Sequence, residues 1–171
     1  MAVLGRTTPN RVGLLPFSER THRSKPMGKW IKPNINTKFH IDFEWWRKKG
    51  RDFRVHLRSH LCPECQAIYA NNLKAEEIDW IDPETAEVTK VDGLWQCLRT
   101  HCSQLPDYIT EKTPLTASVF RLFLANGNTP LSPVELYRIL GKQTPEIILR
   151  TLSGRRIYEG IKPVPLEEET R

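Results

Sequence analysis

The chain has 171 residues, 39% of them apolar, and 26 Lys and Arg against 20 Asp and Glu give a formal net charge of +6. That length fits one or two small domains. No apolar run approaches the roughly 20 residues that cross a bilayer, so no membrane partner is expected. The N-terminus shows no apolar segment of the secretory kind, which points to the cytoplasm or another reducing intracellular compartment.

Residues 1–38 carry eight Lys or Arg and one acid, Glu19, a net +7. Pro9, Pro16, Pro26 and Pro33 interrupt any regular ladder, and the segment shows no helical or strand period. It reads as an extended basic arm that buries too little apolar surface to fold alone. A solvated tail is the plain reading. An arm that orders on nucleic acid or a large partner, with Trp30 as anchor, is the sharper one. A transit peptide is disfavoured by the prolines.

Over residues 39–61, Phe43, Trp46, Phe53, Leu57 and Leu61 share a helical stripe. The spacing predicts a basic helix from Asp42, broken at Gly50 or continuous through it. Its polar face carries Arg47, Lys48, Lys49 and Arg51, followed by Arg54 and Arg58. A charged face is usually just solvated, but beside the arm this one extends a positive surface. His56 and His60, four apart, are expected to be hydrogen-bonded or exposed imidazoles.

Four cysteines follow, as Cys62-Pro63-Glu64-Cys65 and as Cys97 and Cys102 in Cys97-Leu98-Arg99-Thr100-His101-Cys102. Two cysteines separated by two residues turn their sulfurs toward one point, and a second pair about thirty residues on can complete a tetrahedral zinc site. Two disulfides would need an oxidising compartment, and four buried thiols would not need the Cys-x2-Cys spacing. Cys62 and Cys65 are therefore expected ligands with Cys102. The fourth place lies between Cys97 and His101, which share a helical face if residues 93–101 are helical. With four protein ligands the zinc would be structural.

Between the pairs, Ile78–Ile81 and Glu87–Val91 alternate in strand fashion around Asp82-Pro83-Glu84-Thr85, predicting a β-hairpin. Residues 61–112 hold ten acids against four bases, so this module is a poor surface for polyanions. A Cys-x2-Cys turn, a hairpin and a second ligand pair resemble the zinc-ribbon or treble-clef class over residues 62–102.

Toward the C-terminus, Thr113-Pro114 opens a helix that Asn126-Gly127 ends. Leu131 is extended. Ser132-Pro133-Val134-Glu135 is a capping box for a second helix, stopped by Gly141. Thr144-Pro145 caps a third, which Ser153-Gly154 ends, and Arg155–Lys162 alternates as a strand. This order over residues 113–163 resembles the winged-helix class of helix-turn-helix domains. The resemblance implies a third helix in the major groove, nominating Gln143, Thr144, Glu146, Arg150 and Thr151, with Arg155 and Arg156 at the wing on phosphate. Glu146 is poorly placed for that role. Residues 113–171 carry only eight bases against six acids, and residues 164–171 form an acidic tail.

The expected protein is α+β: an arm over 1–38, a basic helix over 39–61, a small zinc-bound hairpin module over 62–112, a winged-helix domain over 113–163 and the tail. No phosphate-binding glycine loop, Gly-x-Ser-x-Gly turn or purposeful carboxylate pair occurs, so a non-enzymatic role is expected. The leading reading is a nucleic-acid-binding factor in transcription, duplex DNA being its expected partner. The alternative is a structural subunit of a larger nucleoprotein or enzyme complex.

Overall fold

A computed structural model describes residues 31–70, 77–81, 86 and 88–165. The arm up to residue 30, the turn at 82–85 and the tail from residue 166 lie outside the described residues. The fold is α+β, with helices outnumbering short antiparallel strands among those residues.

The chain from residue 31 first makes a turn, Thr37 N–H donating to the Asn34 carbonyl at 3.0 Å. It then enters strand β1 (Phe39–Ile41). Phe39 and Ile41 are fully buried while His40 between them is half-buried, the two-residue period of a strand. β1 pairs antiparallel with β4 (Ile161–Pro163), with Ile41 opposite Ile161 and Phe39 opposite Pro163. On its other edge Phe39 exchanges both backbone bonds with Leu131, at 2.9 and 3.1 Å. Further along that edge the Asn128 side chain replaces a strand. Its Oδ1 accepts from Ile41 N–H at 2.7 Å and its Nδ2 donates to Ile41 O at 2.9 Å. β1 is thus central, and Pro163 sits on an edge strand, where its missing N–H is tolerated.

Residues 39–41 at the start of the 39–61 segment form a strand, and the helix expected from Asp42 is broken at Gly50 into two. α1 (Phe43–Lys48) is capped by Asp42 and α2 (Phe53–Ser59) by Asp52, each aspartate accepting a backbone N–H two residues on. Gly50 separates them in the left-handed region at φ 62°. β1 escapes the helical stripe because its backbone is claimed by strands remote in sequence.

α3 (Pro63–Ile68) follows with Cys62 as its N-cap residue. β2 (Glu77–Ile81) and β3 (Val88–Asp92) then form the expected hairpin, in register Glu77 to Asp92 and Ile81 to Val88. Asp92 ends β3 and caps α4 (Gly93–Thr100), accepting from Leu94 N–H at 2.9 Å. Its other oxygen pairs with Arg54 of α2. Trp95 Nε1 donates to the Leu124 carbonyl at 2.8 Å and ties α4 to α5 (Leu115–Ala125).

α5 begins one residue later than Thr113-Pro114 suggests, with Pro114 at the N-cap. α6 (Pro133–Leu140) starts in a complete capping box and stops at Gly141, φ 63°. α7 (Pro145–Leu152) follows. Lys142 Nζ binds the carbonyls of Thr110 and Thr113 at 2.6 and 2.7 Å, fastening the segment before α5 to the end of α6. The strand expected over Arg155–Lys162 is confined to β4. Residues 153–160 are a loop, and positive φ at Glu159 (46°) and Gly160 (79°) ends any extended run. The partner of β4 comes from β1 and not from a neighbouring hairpin strand.

One core joins these parts. Phe39, Ile41 and Trp46 meet Leu57, Leu94 and Leu98 on one side and Phe120, Phe123, Leu136 and Ile148 on the other. Trp46 stands edge to face with Phe53 at 5.4 Å and lies 4.9 Å from the His56 ring, while His56 and His60 face each other through Nε2 at 3.2 Å. Burial, with His56 and Arg121 nearby, pushes the His60 imidazole down to about 4.

Two outcomes follow from this packing. A Cβ on Gly160 would stand 2.8 Å from Trp46 Nε1 at a φ that side chains rarely adopt. Gly160→Ala should therefore cost on the order of 1–3 kcal/mol in urea unfolding, and an unchanged midpoint would contradict the close approach. Glu135 is the second. Lys38, at 2.6 Å, and the Ser132 N–H hold its carboxyl down at about 2, against 4.5 for a free one. Its contribution is present above pH 4.5 and lost as pH falls toward 2. The stability gap between wild type and Glu135→Gln should shrink between about pH 6 and about pH 3. A gap independent of pH would leave the charge without a role.

Candidate metal centre and basic groove

The candidate ligand side chains come from two helix ends. At the first, Pro63 occupies the opening position of α3, where a missing N–H costs nothing. This sets Cys62 just outside the helix and Cys65 one turn inside it. Cys65 is buried and Cys62 half-buried. At the second, α4 stops at Thr100, whose Oγ1 bonds back to the Gln96 carbonyl at 2.8 Å. His101 takes φ −119° and ψ −63°, and Cys102 opens a 3-10 turn through Gln104. The break swings Cys102 inward beside His101.

The resulting cluster is Cys62, Cys65, His101 and Cys102, with all four donor atoms within 4.8 Å of one another. His101 Nδ1 stands 3.3 Å from Cys62 Sγ and 3.7 Å from Cys65 Sγ. Cys102 Sγ is 3.4 Å from Cys62 Sγ and accepts the Cys62 N–H at 3.2 Å. A tetrahedral ion of zinc's size would hold neighbouring sulfurs about 3.8 Å apart and a sulfur and a nitrogen about 3.5 Å apart. The donor set and its spacing fit a metal ion of that kind.

Glu64 completes the arrangement from outside. Its Oε2 lies 3.4 Å from His101 Nε2. An Nε2–H directed at that carboxylate leaves the Nδ1 lone pair facing the sulfurs, the tautomer a metal needs. The Cys65 N–H, together with Cys102 and His101, lowers the Cys62 thiol. Burial pushes the Cys102 thiol up to about 11.

Cys97 sits elsewhere. It remains on α4 and is joined to Cys65 in a disulfide, while Cys62 and Cys102 are free. A disulfide sulfur is not a thiolate, so disulfide and metal exclude each other at Cys65. Of the two, the metal arrangement accounts for more of the geometry. Three further donors converge on the point that Cys65 faces, and a disulfide needs none of them. Reduction would add Cys97 as a fifth donor beside the four.

The basic side chains fall into two groups. Lys49, Arg51, Arg155 and Arg156 line one groove of about 480 Å³ with Trp45, Ile157, Tyr158 and Glu159. The groove runs between the end of α1 and the loop after α7. Trp46 Nε1 donates to the Glu159 carbonyl at 3.0 Å and Asp42 N–H to the Gly160 carbonyl at 2.8 Å, which holds that loop in place, and Lys162 of β4 pairs with Asp42 at 2.8 Å just beyond it. Arg51 lies 5.2 Å over the Trp46 ring and pairs with Glu159 at 3.4 Å. Arg47 and Lys48 are exposed on α1, Arg47 pairing with Glu44 at 2.8 Å. Thr144 and Arg150 are exposed on α7 and take no part in the groove lining.

Sequence reasoning passed over Glu64 as a support for His101, although it stands inside the Cys-x2-Cys turn. It also passed over Trp45, whose neighbour Trp46 carried the apolar stripe. Comparison with known proteins adds no relative: no family model, curated protein or solved structure matches the chain.

The exclusion at Cys65 can be measured. Protein kept reduced should bind one equivalent of cobalt(II) with a thiolate-to-metal absorption band. Protein carrying the Cys65–Cys97 disulfide should bind it at least about tenfold more weakly, as should Cys62→Ser. Equal binding by oxidised and reduced protein would remove Cys65 from the ligand set.

Proposed function

We propose that this protein is a non-enzymatic, zinc-stabilised nucleic-acid-binding factor. The observation that carries this reading is the meeting of Lys49 and Arg51 with Arg155 and Arg156 in one groove. Four cations from segments about a hundred residues apart in sequence stand there against one carboxylate, Glu159. Phosphate is the common polyanion such a surface serves. The arm over residues 1–38, with its net +7, adds electrostatic affinity.

The metal is zinc in this reading, because thiolates and imidazole favour it over harder cations. Cys62, Cys65 and Cys102 supply three ligands. His101 supplies the fourth, oriented by Glu64, and Cys97 is the reserve. The site is closed and therefore supports local folding and does not perform chemistry. Cys97→Ser should keep the zinc, and His101→Ala should lose it more readily; the reverse order would give the fourth place to Cys97.

α5, Leu131, α6, α7 and β4 follow one another in the order of a winged-helix domain, with β1 standing where a second wing strand would pair. This supports the resemblance to that class. The alternative, docking within a larger assembly, is favoured by Tyr137 and Ile139, which are 45% and 55% exposed on α6.

Salt-dependent binding tests the function. Affinity for a nucleic acid of mixed sequence should fall linearly on a log–log plot against salt. Replacing Arg155 and Arg156 by Ala together should lower that slope by about 1 for each phosphate that is no longer neutralised. Arg150→Ala would cost affinity only at a preferred duplex site if α7 reads bases. Absence of any salt-dependent binding would favour the assembly subunit.

A further inference from the structure

We infer that the groove between α1 and the 153–160 loop takes an unpaired nucleotide of a single-stranded nucleic acid, with the base against Trp45 and Tyr158 and the phosphates on Lys49, Arg155 and Arg156. This inference rests on the nucleic-acid reading above and narrows it to one class of strand.

Shape is the first reason. The groove is a shallow cleft open along one side, and its volume of about 480 Å³ leaves room for a single base laid in from outside. A duplex presents a convex backbone and keeps its base faces stacked inside. Only a base freed from the stack can project into such a cleft and offer its π-face.

The lining is the second. A surface that merely neutralises duplex phosphate needs cations. This one interleaves them with Trp45, Tyr158 and Ile157. Trp45 stands edge to face on the buried Trp46, ring centroids 5.5 Å apart at 81°. That packing fixes the indole while part of it stays accessible. Positioned aromatic faces beside basic groups are the general means of holding single strands without reading sequence.

Division of labour among the cations is the third. Arg51 is occupied by the Trp46 face and by Glu159, so it forms a wall of the groove. Lys49, Arg155 and Arg156 make no ion pair among the described residues. All three stand exposed at the rim, where a strand's phosphates would pass. Glu159 is paired with Arg51 at 3.4 Å, which offsets part of its charge toward the incoming phosphate.

The experiment uses the full chain with a fluorescently labelled 12-nucleotide strand, the matching duplex and free AMP. The single strand should bind at least about tenfold more tightly than the duplex. Tyr158→Leu should weaken single-strand binding roughly 5- to 150-fold, the range for removing one stacked base. Tyr158→Phe, which keeps the ring, should bind like wild type and controls for folding, with melting curves recorded for each variant. Trp45→Leu should act as Tyr158→Leu does. Duplex binding equal to single-strand binding would overturn the inference. So would an unaffected Tyr158→Leu beside a weakened Arg155→Ala/Arg156→Ala, although the broader nucleic-acid reading would then survive. Free AMP binding as tightly as the strand would replace the strand by a mononucleotide as occupant. Failure of wild type to bind any of the three would instead end the nucleic-acid reading itself.

Discussion

The pairing of β1 is the constraint on which the rest of the fold depends. Phe39, His40 and Ile41 use both strand edges, one for β4 and one for Leu131 and the Asn128 amide. Closing a loop of more than a hundred residues costs entropy that grows only slowly with length. Burial of Phe39, Ile41 and Ile161 offsets it, and each of the three is at most 1% exposed. Because β4 returns to β1, the loop before it must pass beside α1. The basic groove is a consequence of that return. Neither the first helix nor the loop after α7 makes it alone.

Much of the local structure was legible in the sequence, because local signals decide local structure. Ser132 and Glu135 cap α6 as their spacing requires, and Gly141 stops it. What the sequence hid was long-range. A three-residue strand such as Phe39-His40-Ile41 cannot be told from the start of a helical stripe, since its partners are Leu131 and Ile161. The basic-helix segment drawn from residue 39 departs there, whereas the helix from Asp42 takes the broken form at Gly50. The expected strand over Arg155–Lys162 is shortened to β4 for the same reason: the stretch alternates, but strand pairing is available only where β1 lies alongside. Asn128 carried no signal of its own beside the Asn126-Gly127 helix stop, yet its side chain completes the sheet edge.

The metal centre shows a similar division. The Cys-x2-Cys turn announced Cys62 and Cys65 directly. The second half was ambiguous because a continuous helix and a broken one place the donors differently. On a continuous helix Cys97 and His101 share a face and Cys102 points away. The break at His101 instead brings His101 and Cys102 to the cluster and leaves Cys97 facing Cys65 from the side. Five donors around a four-coordinate point is a property of this ending. It makes the oxidation state of Cys65 and Cys97 a determinant of whether a metal is held.

Charge and support are then separated in space and joined mechanically. The cysteine-bearing stretch from 61 to 112 is acidic, whereas the groove is basic. A metal there cannot act on a bound polyanion through its own surface. Any influence of a metal held by the cluster would have to pass through α4, whose C-terminal end carries His101 and Cys102. The N-terminal end of α4 is held by Asp92, and the same aspartate binds Arg54 of α2. Trp95 carries the connection to α5 through the Leu124 carbonyl. From α2 the chain of contacts runs through Phe53 to Trp46, and Trp46 holds the Glu159 carbonyl at the floor of the groove. Each link is a specific hydrogen bond, ion pair or ring contact, so a continuous path of contacts joins the Cys/His cluster to the groove although they share no residue.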